Sequence, residues 1–266
     1  MRILFLSNKD LASNVALNML LQKVSNNHEV HLWLSAKVGN NSILPKQLKT
    51  LKFFEQDLFN KLLSPLIPNP KNRKTYKTFD EFSPLLHTEV REVHKINSPE
   101  MINDLNVLSP DLIVSIRFGG ILKETVISIP KKGVINLHSG ILPKYKGVMA
   151  TFWAMKSNDS QVGTTLHTID DGSIDTGQIV KISKMNVERT KSYLWHVLEL
   201  YKQGSLDILE AIETLGNDGV LGSTPQNETN TYFTFPTENE CDDFEKSGLR
   251  IIDEQDYLEF IQLNYM

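Results

Sequence analysis

Asn136, His138 and Asp175 supply the side chains that acyl transfer needs. An amide and an imidazole stand two residues apart in Asn136-Leu137-His138, directly after the apolar run Gly133-Val134-Ile135. On a strand, positions i and i+2 project from the same face. One strand end therefore presents a hydrogen-bond donor beside a group that titrates near neutrality. The segment Ser139-Gly140-Ile141-Leu142-Pro143-Lys144-Tyr145-Lys146-Gly147 is punctuated by glycine and proline and reads as a loop exposing both. Further along, Asp175 opens the turn Asp175-Thr176-Gly177 between two strand-like runs. An amide can donate to a developing oxyanion, an imidazole can move a proton, and a carboxylate can orient that imidazole. Singly, Asn136 reads as a turn residue and His138 as a surface histidine; the set carries the chemistry.

The elements that must position these groups follow from periodicity. Short apolar runs predict strands over 3–7 and 29–34, with helical spacing over 11–24 between them. This β-α-β unit implies a parallel pair with a right-handed crossover. Helices are predicted over 47–63 and 192–212, and a third begins at Ser98-Pro99-Glu100, a cap followed by proline. Further strands are predicted over 89–96, 111–116 and 133–138, and a paired set over 162–169 and 178–182. The alternation predicts an open α/β sheet. Ligands bind such sheets beyond the carboxyl ends of the strands. Ser7-Asn8-Lys9-Asp10, Arg117-Phe118-Gly119-Gly120 and Asn136-Leu137-His138 all sit at such ends and are expected to line one crevice.

The 266-residue chain is 40% apolar and 23% charged, ordinary values for a globular protein. Its net charge of −4 and pI near 6.0 argue against a general nucleic-acid surface. The one cysteine, Cys241, cannot form an internal disulfide, so a cytoplasmic location is expected. No apolar run approaches a membrane span, and the first residues read as a buried strand rather than a signal peptide. The segment 217–266 holds eleven acidic residues against two basic ones, a net charge of −9. Tyr232-Phe233-Thr234-Phe235-Pro236 alternates like an edge strand. Two units are therefore expected: a catalytic domain over 1–215, and an acidic extension over 216–266, a hairpin or small subdomain packing on that domain or on a second subunit of a homodimer.

The stretch from Asn136 to Gly147, taken with Asp170-Asp171-Gly172-Ser173-Ile174-Asp175-Thr176-Gly177, resembles the folate-dependent formyltransferases that act on glycinamide ribonucleotide, methionyl-tRNA and nucleotide sugars. The resemblance covers roughly residues 1–210. It implies a Rossmann-like fold, mainly parallel with helices on both faces, and N10-formyltetrahydrofolate as formyl donor. It makes Asn136 the formyl-oxygen binder, His138 the acid/base and Asp175 its partner. It seats the pterin between the stretch Arg117, Phe118, Gly119, Ile121 and Leu122 and the loop Ile169, Asp170, Asp171, Gly172 and Ile174. The sequence departs from the commonest pattern at Ser139-Gly140 and in a loop before Asp175 that is one residue longer. Whether His138 is base or oxyanion stabiliser stays open.

Asn8 and Lys9, after the first strand, and Lys144, Tyr145 and Lys146, in the motif loop, are candidate acceptor contacts; a solvated loop is the plain alternative for each. The basic cluster Lys71, Arg73, Lys74 and Lys77 is a solvated loop or a pyrophosphate clamp. His167 reads as structural or as supporting a site residue, with a place facing the pocket as the alternative, and a zinc triad of His138, His167 and Asp175 lacks close ligand spacing, so no metal is expected. The first loop has no glycine, unlike the phosphate-wrapping loop of the glycinamide ribonucleotide enzymes. The acidic tail fits tRNA poorly. A small amine remains, foremost a nucleotide-linked amino sugar, then a hydroxyornithine-like amine. A catalytically silent folate binder is the alternative class. A plain NAD-binding protein is disfavoured, because Gly-x-Gly-x-x-Gly is missing after the first strand.

Overall fold

The computed structural model describes residues 1–36, 44–67, 75–227, 229 and 231–266. Its centre is a seven-stranded sheet of order β3-β2-β1-β4-β5-β6-β7. The strands are β1 (Arg2–Asn8), β2 (Glu29–Ser35), β3 (Arg91–Val93), β4 (Leu112–Ile116), β5 (Val134–His138), β6 (Gln161–Thr168) and β7 (Ile179–Asn186). The first five run parallel, and β6 and β7 are antiparallel. This is the open, mainly parallel α/β sheet expected, and the order in which strands are added reverses between β1 and β4.

Continuous apolar runs form the central strands because both faces are covered. In β4 every residue is buried, and in β1 only Arg2 is not. Helices α1 (Leu11–Val24) and α6 (Tyr193–Gly216) pack on one face. Helices α3 (Pro99–Leu108) and α4 (Glu124–Ile127) cover the other, through Met101, Leu105 and Val126. Caps set the starts: Asp10 accepts from Ser13 N–H, Ser98 from Met101 N–H and Ser192 from Trp195 N–H. The edge strand β7 has no fully buried residue and carries the exposed Lys181 and Lys184, which protect it from further pairing.

Three expectations change. The helix over 47–63 is α2 (Lys46–Lys52) running into a π-helical stretch, Phe53–Leu63, which turns Glu55 and Phe59 inward. The strand expected over 89–96 shrinks to the three residues of β3. The acidic extension contains no hairpin among its described residues. Phe233 makes one bridge to Gly147 and Thr224 one to Ile179, and the remainder folds as α7 (Glu238–Lys246) and α8 (Glu254–Tyr265).

These two helices belong to the same core as the sheet. Phe244 stacks on Phe152 of α5 (Ala150–Lys156) with ring centroids 4.5 Å apart. Cys241, Phe260 and Tyr265 are buried with it, and the Tyr265 hydroxyl donates to Asn14 in α1 at 2.6 Å. Among the described residues the acidic charge of the extension faces outward or is paired, as in Asp256 with Lys191 at 2.9 Å. Among the described residues no helix is long and apolar enough to cross a membrane.

Candidate active site

The carboxyl ends of β1, β4 and β5 open into a cavity of about 890 Å³. Its place, where the strand order reverses, is where open α/β sheets bind ligands. The volume lies in the upper range for small-molecule sites and can admit two substrates.

Asn136 and His138 share one face of β5, as their spacing requires. Asn136 lies opposite His167 of β6 in the antiparallel register, and its Nδ2 is 3.0 Å from His167 Nε2. The far nitrogen of that ring, Nδ1, donates to the Thr168 carbonyl at 2.7 Å. His138 Nε2 donates to the Tyr145 carbonyl at 2.7 Å, and its Nδ1 stands 3.5 Å from Asp175 Oδ2. Asp175 thus sits between two imidazoles, its Oδ1 3.5 Å from His167 Nε2. It also accepts the Gly147 N–H at 2.8 Å. Burial pushes the Asp175 carboxyl up, but His138, His167 and that N–H outweigh it and hold it down at about 2.

Two glycines make the loop possible. A Cβ on Gly140 would fall 2.6 Å from His138 Nε2. Gly147 has φ +98 and carries the backbone that pairs with Phe233, a conformation open to glycine at no steric cost. Asp175 itself has φ 55, and Gln226 pins its carbonyl at 3.0 Å. Arg117 and Met149, also on the cavity wall, have φ 56 and 55. Backbone strain of this kind gathers at functional sites.

A second cluster forms another part of the wall. Arg117 donates through Nε to Asp10 at 3.0 Å and through Nη2 to Glu55 at 2.9 Å, over the ring of Tyr201. Burial, helped by Asp10 and opposed by Arg117, pushes the Glu55 carboxyl up to about 7. Burial likewise raises the Tyr193 and Tyr201 hydroxyls.

Of the pterin residues expected from sequence, Phe118, Gly119, Ile121, Leu122, Ile169, Asp171 and Ile174 line the cavity with Asn136, His138 and Asp175. Arg117 lines it too, with its guanidinium committed to the two carboxylates. Asp170 and Gly172 do not; Asp170 accepts from the Thr168 hydroxyl at 2.8 Å. Asn8 and Lys9 are on the wall, whereas Lys144, Tyr145 and Lys146 are not. The Lys144 ammonium is held by Asp159 at 2.8 Å, and the Tyr145 hydroxyl donates to the same carboxylate at 2.9 Å. The loop therefore meets the site by its backbone, at the Tyr145 carbonyl and the Gly147 N–H. Lys71, Arg73 and Lys74 of the basic cluster lie outside the described residues. Among the described residues no group of three His, Cys, Asp or Glu is disposed to hold a metal. Sequence reasoning passed over Glu55, Tyr193 and Tyr201, which carry no local motif. It also missed the link from His167 to Asn136, which only strand register reveals.

Residues 37–195 match a family model described as formyl transferase. The chain belongs to the formyl transferase family. The matched span contains Asn136, His138 and Asp175. Over 162 residues the chain is 32% identical to the methionyl-tRNA formyltransferase of Methylacidiphilum infernorum, covering 61% of this chain and 48% of that protein. It is 37% identical over 86 residues to that of Geobacter sulfurreducens, covering 32% and 27%. The chain thus spans about half the length, or less, of these curated relatives. Among solved structures it resembles a phosphoribosylglycinamide formyltransferase from Anaplasma phagocytophilum, with TM-score 0.58, 15% identity and coverage of 87% and 96%. A sugar N-formyltransferase from Shewanella sp FDAARGOS_354 gives TM-score 0.55 and 16% identity over 88% and 76%. An N-formyltransferase from Helicobacter canadensis, in complex with folinic acid and dTDP-3-aminofucose, gives 0.53 and 18% over 96% and 85%. At such identities these likenesses concern the formyltransferase fold.

Proposed function

We propose that the protein transfers a formyl group from N10-formyltetrahydrofolate to the primary amine of a small acceptor, foremost a nucleotide-linked amino sugar. The observation that carries this reading is the convergence of Asn136, His138 and Asp175 on one cavity from β5 and the turn after β6. Support for the donor comes from the wall, where Phe118, Ile121, Leu122, Ile169 and Ile174 offer an apolar slot, and from a cavity with room for an acceptor beside it. Residues 1–215 form the catalytic unit in this reading. Residues 216–266 extend it and brace the site through Gln226 and Phe233.

Attack of an amine on a formyl carbon builds negative charge on the formyl oxygen and leaves a surplus proton on nitrogen. The Asn136 amide has two N–H groups: one meets His167, and the other, which has no partner among the described residues, can serve that oxygen. Such a donor is worth about 2.7–4 kcal/mol of transition-state stabilisation. His138 Nε2 already donates to a backbone carbonyl, so the surplus proton is taken at Nδ1, where the ionised Asp175 carboxylate stabilises the imidazolium that forms.

The small-molecule acceptor is supported by the acidic extension and by the amino-sugar enzymes among the structural neighbours. A second reading, methionyl-tRNA, is favoured by the curated relatives, whose identities exceed those of the solved structures. Formyl transfer across TDP- and UDP-linked amino sugars, hydroxyornithine, glycinamide ribonucleotide and methionyl-tRNA separates the two, read by mass shift. His138→Ala is expected to lower turnover by about 10²–10⁴-fold with tetrahydrofolate binding kept. Wild-type turnover in that variant would sink the proposed site.

A further inference from the structure

We propose that Glu55 is the acceptor-recognition carboxylate, receiving the ammonium of the incoming amine on the cavity wall beside Arg117. The word acceptor rests on the formyl-transfer reading; the cation site itself does not.

Charge points to Glu55. Asp10 and Glu55 are buried and share a single guanidinium. Among the described residues Arg117 is the only cation paired with either. The other titratable groups that bear on Glu55 are the hydroxyls of Tyr193 and Tyr257, with Tyr201 against the guanidinium; all three are neutral. With both carboxylates ionised, this part of the wall carries one net negative charge out of water, which is costly unless a cation joins it.

Of the two carboxylates only Glu55 has room. Asp10 is committed at both oxygens: Oδ1 caps α1 by accepting from Ser13 N–H at 2.8 Å, and Oδ2 takes Arg117. The helix N-terminus that could have held a phosphate is thus filled by the chain's own carboxylate. Glu55 uses Oε1 for Arg117. Among the described residues its Oε2 takes no hydrogen bond, and the residue lines the cavity. The π-helical stretch is what turns Glu55 inward, and such stretches often mark functional sites.

The cavity is also polar from mouth to interior. Lys9 and Lys52, exposed on the rim of the same cavity, are positive, and neither pairs with Glu55. Cations at the mouth and a carboxylate in the interior complement a molecule with an anionic end and an ammonium end. An amino sugar linked to a phosphate has that layout. Because burial holds the Glu55 carboxyl up at about 7, it is poised to ionise when a cation arrives.

The test follows the Glu55 carboxyl directly, by infrared difference spectra of the full chain against Glu55→Gln across pH. Methylammonium is the probe, and potassium at equal ionic strength is the control. Methylammonium is expected to lower the Glu55 midpoint by about one pH unit, a tenfold change in proton affinity; potassium is not. A midpoint that methylammonium leaves in place overturns the proposal. Glu55→Asp, which keeps the charge on a shorter stem, provides a second difference spectrum should the glutamine variant misfold. Tetrahydrofolate binding is measured alongside. Its failure would count against the formyl-transfer reading while leaving the cation site standing. With the acceptor that the amine panel yields, Glu55→Gln is expected to raise KM for the amine about tenfold or more and leave KM for the formyl donor unchanged. An unchanged amine KM would overturn recognition by Glu55.

Discussion

Asp175 and Glu55 are two carboxylates in one cavity, both buried, and their acidities move in opposite directions. Asp175 is held down at about 2, Glu55 pushed up to about 7. Burial penalises both charges alike. The difference lies in the partners. Asp175 has two imidazoles and a backbone N–H to itself, whereas Glu55 divides one guanidinium with Asp10. Carboxylates separated in this way can hold different jobs at one pH: one stays ionised to orient a histidine, the other exchanges charge with what binds.

The harshest way to break the comparison is Arg117→Met. It strands two buried carboxylates without their cation, and removal of one member of a buried ion pair costs about 3–5 kcal/mol. The urea midpoint is expected to fall accordingly at pH values above about 7. Adding Glu55→Gln is expected to recover part of the loss, because one of the stranded charges is gone. Wild-type stability in the single variant would mean that the cluster is solvated and that Glu55 has no reason to differ from Asp175.

Milder tests set the two carboxylates against each other by pH. Glu55 has a folded value of about 7 against an ordinary 4.5. The folded state therefore keeps a proton the unfolded state has lost, and stability falls as pH rises from 4.5 to 7. Glutamine cannot titrate, so Glu55→Gln is expected to gain on the wild type across that window, by up to about 3 kcal/mol. Asp175 has a folded value of about 2 against 3.8. Its contribution is present above 3.8 and disappears as pH falls to about 2, so Asp175→Asn is expected to be flatter there, by about 2 kcal/mol. Denaturation curves at stepped pH read both. Parallel wild-type and Glu55→Gln stabilities between 4.5 and 7 would erase the contrast.

The two halves of the cavity also differ in how far they could be read from sequence. Asn136 and His138 were legible because i and i+2 on a strand must share a face, and Asp175 because a turn between strands exposes its first residue. The tether from His167 to Asn136 was hidden, because antiparallel register across β5 and β6 is fixed by the fold rather than by local spacing. Glu55 was further out of sight. It meets Arg117 across 62 positions of chain, from a helix whose switch to π geometry no apolar pattern announces. The hairpin alternative for the extension fails for a related reason. Tyr232 to Pro236 alternates like a strand, yet its neighbour is the loop at Gly147 and yields one bridge. Helix α7 offers only Cys241 and Phe244 as buried anchors, although Thr237 and Glu240 form the reciprocal cap that marks its start. Sparse anchors suffice because Phe244 finds Phe152 ready to stack.

Lys144→Ala is expected to do least, and that makes it the finest probe of where the acceptor binds. Its place in the motif loop suggests a substrate contact, as does its charge. In the fold its ammonium lies on Asp159, its side chain is 60% exposed, and it forms no part of the cavity wall. Exposed pairs of this kind are worth about 0–1 kcal/mol, so stability is expected to change little. What the loop gives the site is the Tyr145 carbonyl on His138 and the Gly147 N–H on Asp175, and both survive any change of the Lys144 side chain. KM for the acceptor is therefore expected to stay put in Lys144→Ala while it rises in Glu55→Gln. A rise of similar size in both would mean that the loop turns its lysine inward when an acceptor arrives, and that recognition is shared between a carboxylate on the wall and a cation from the rim.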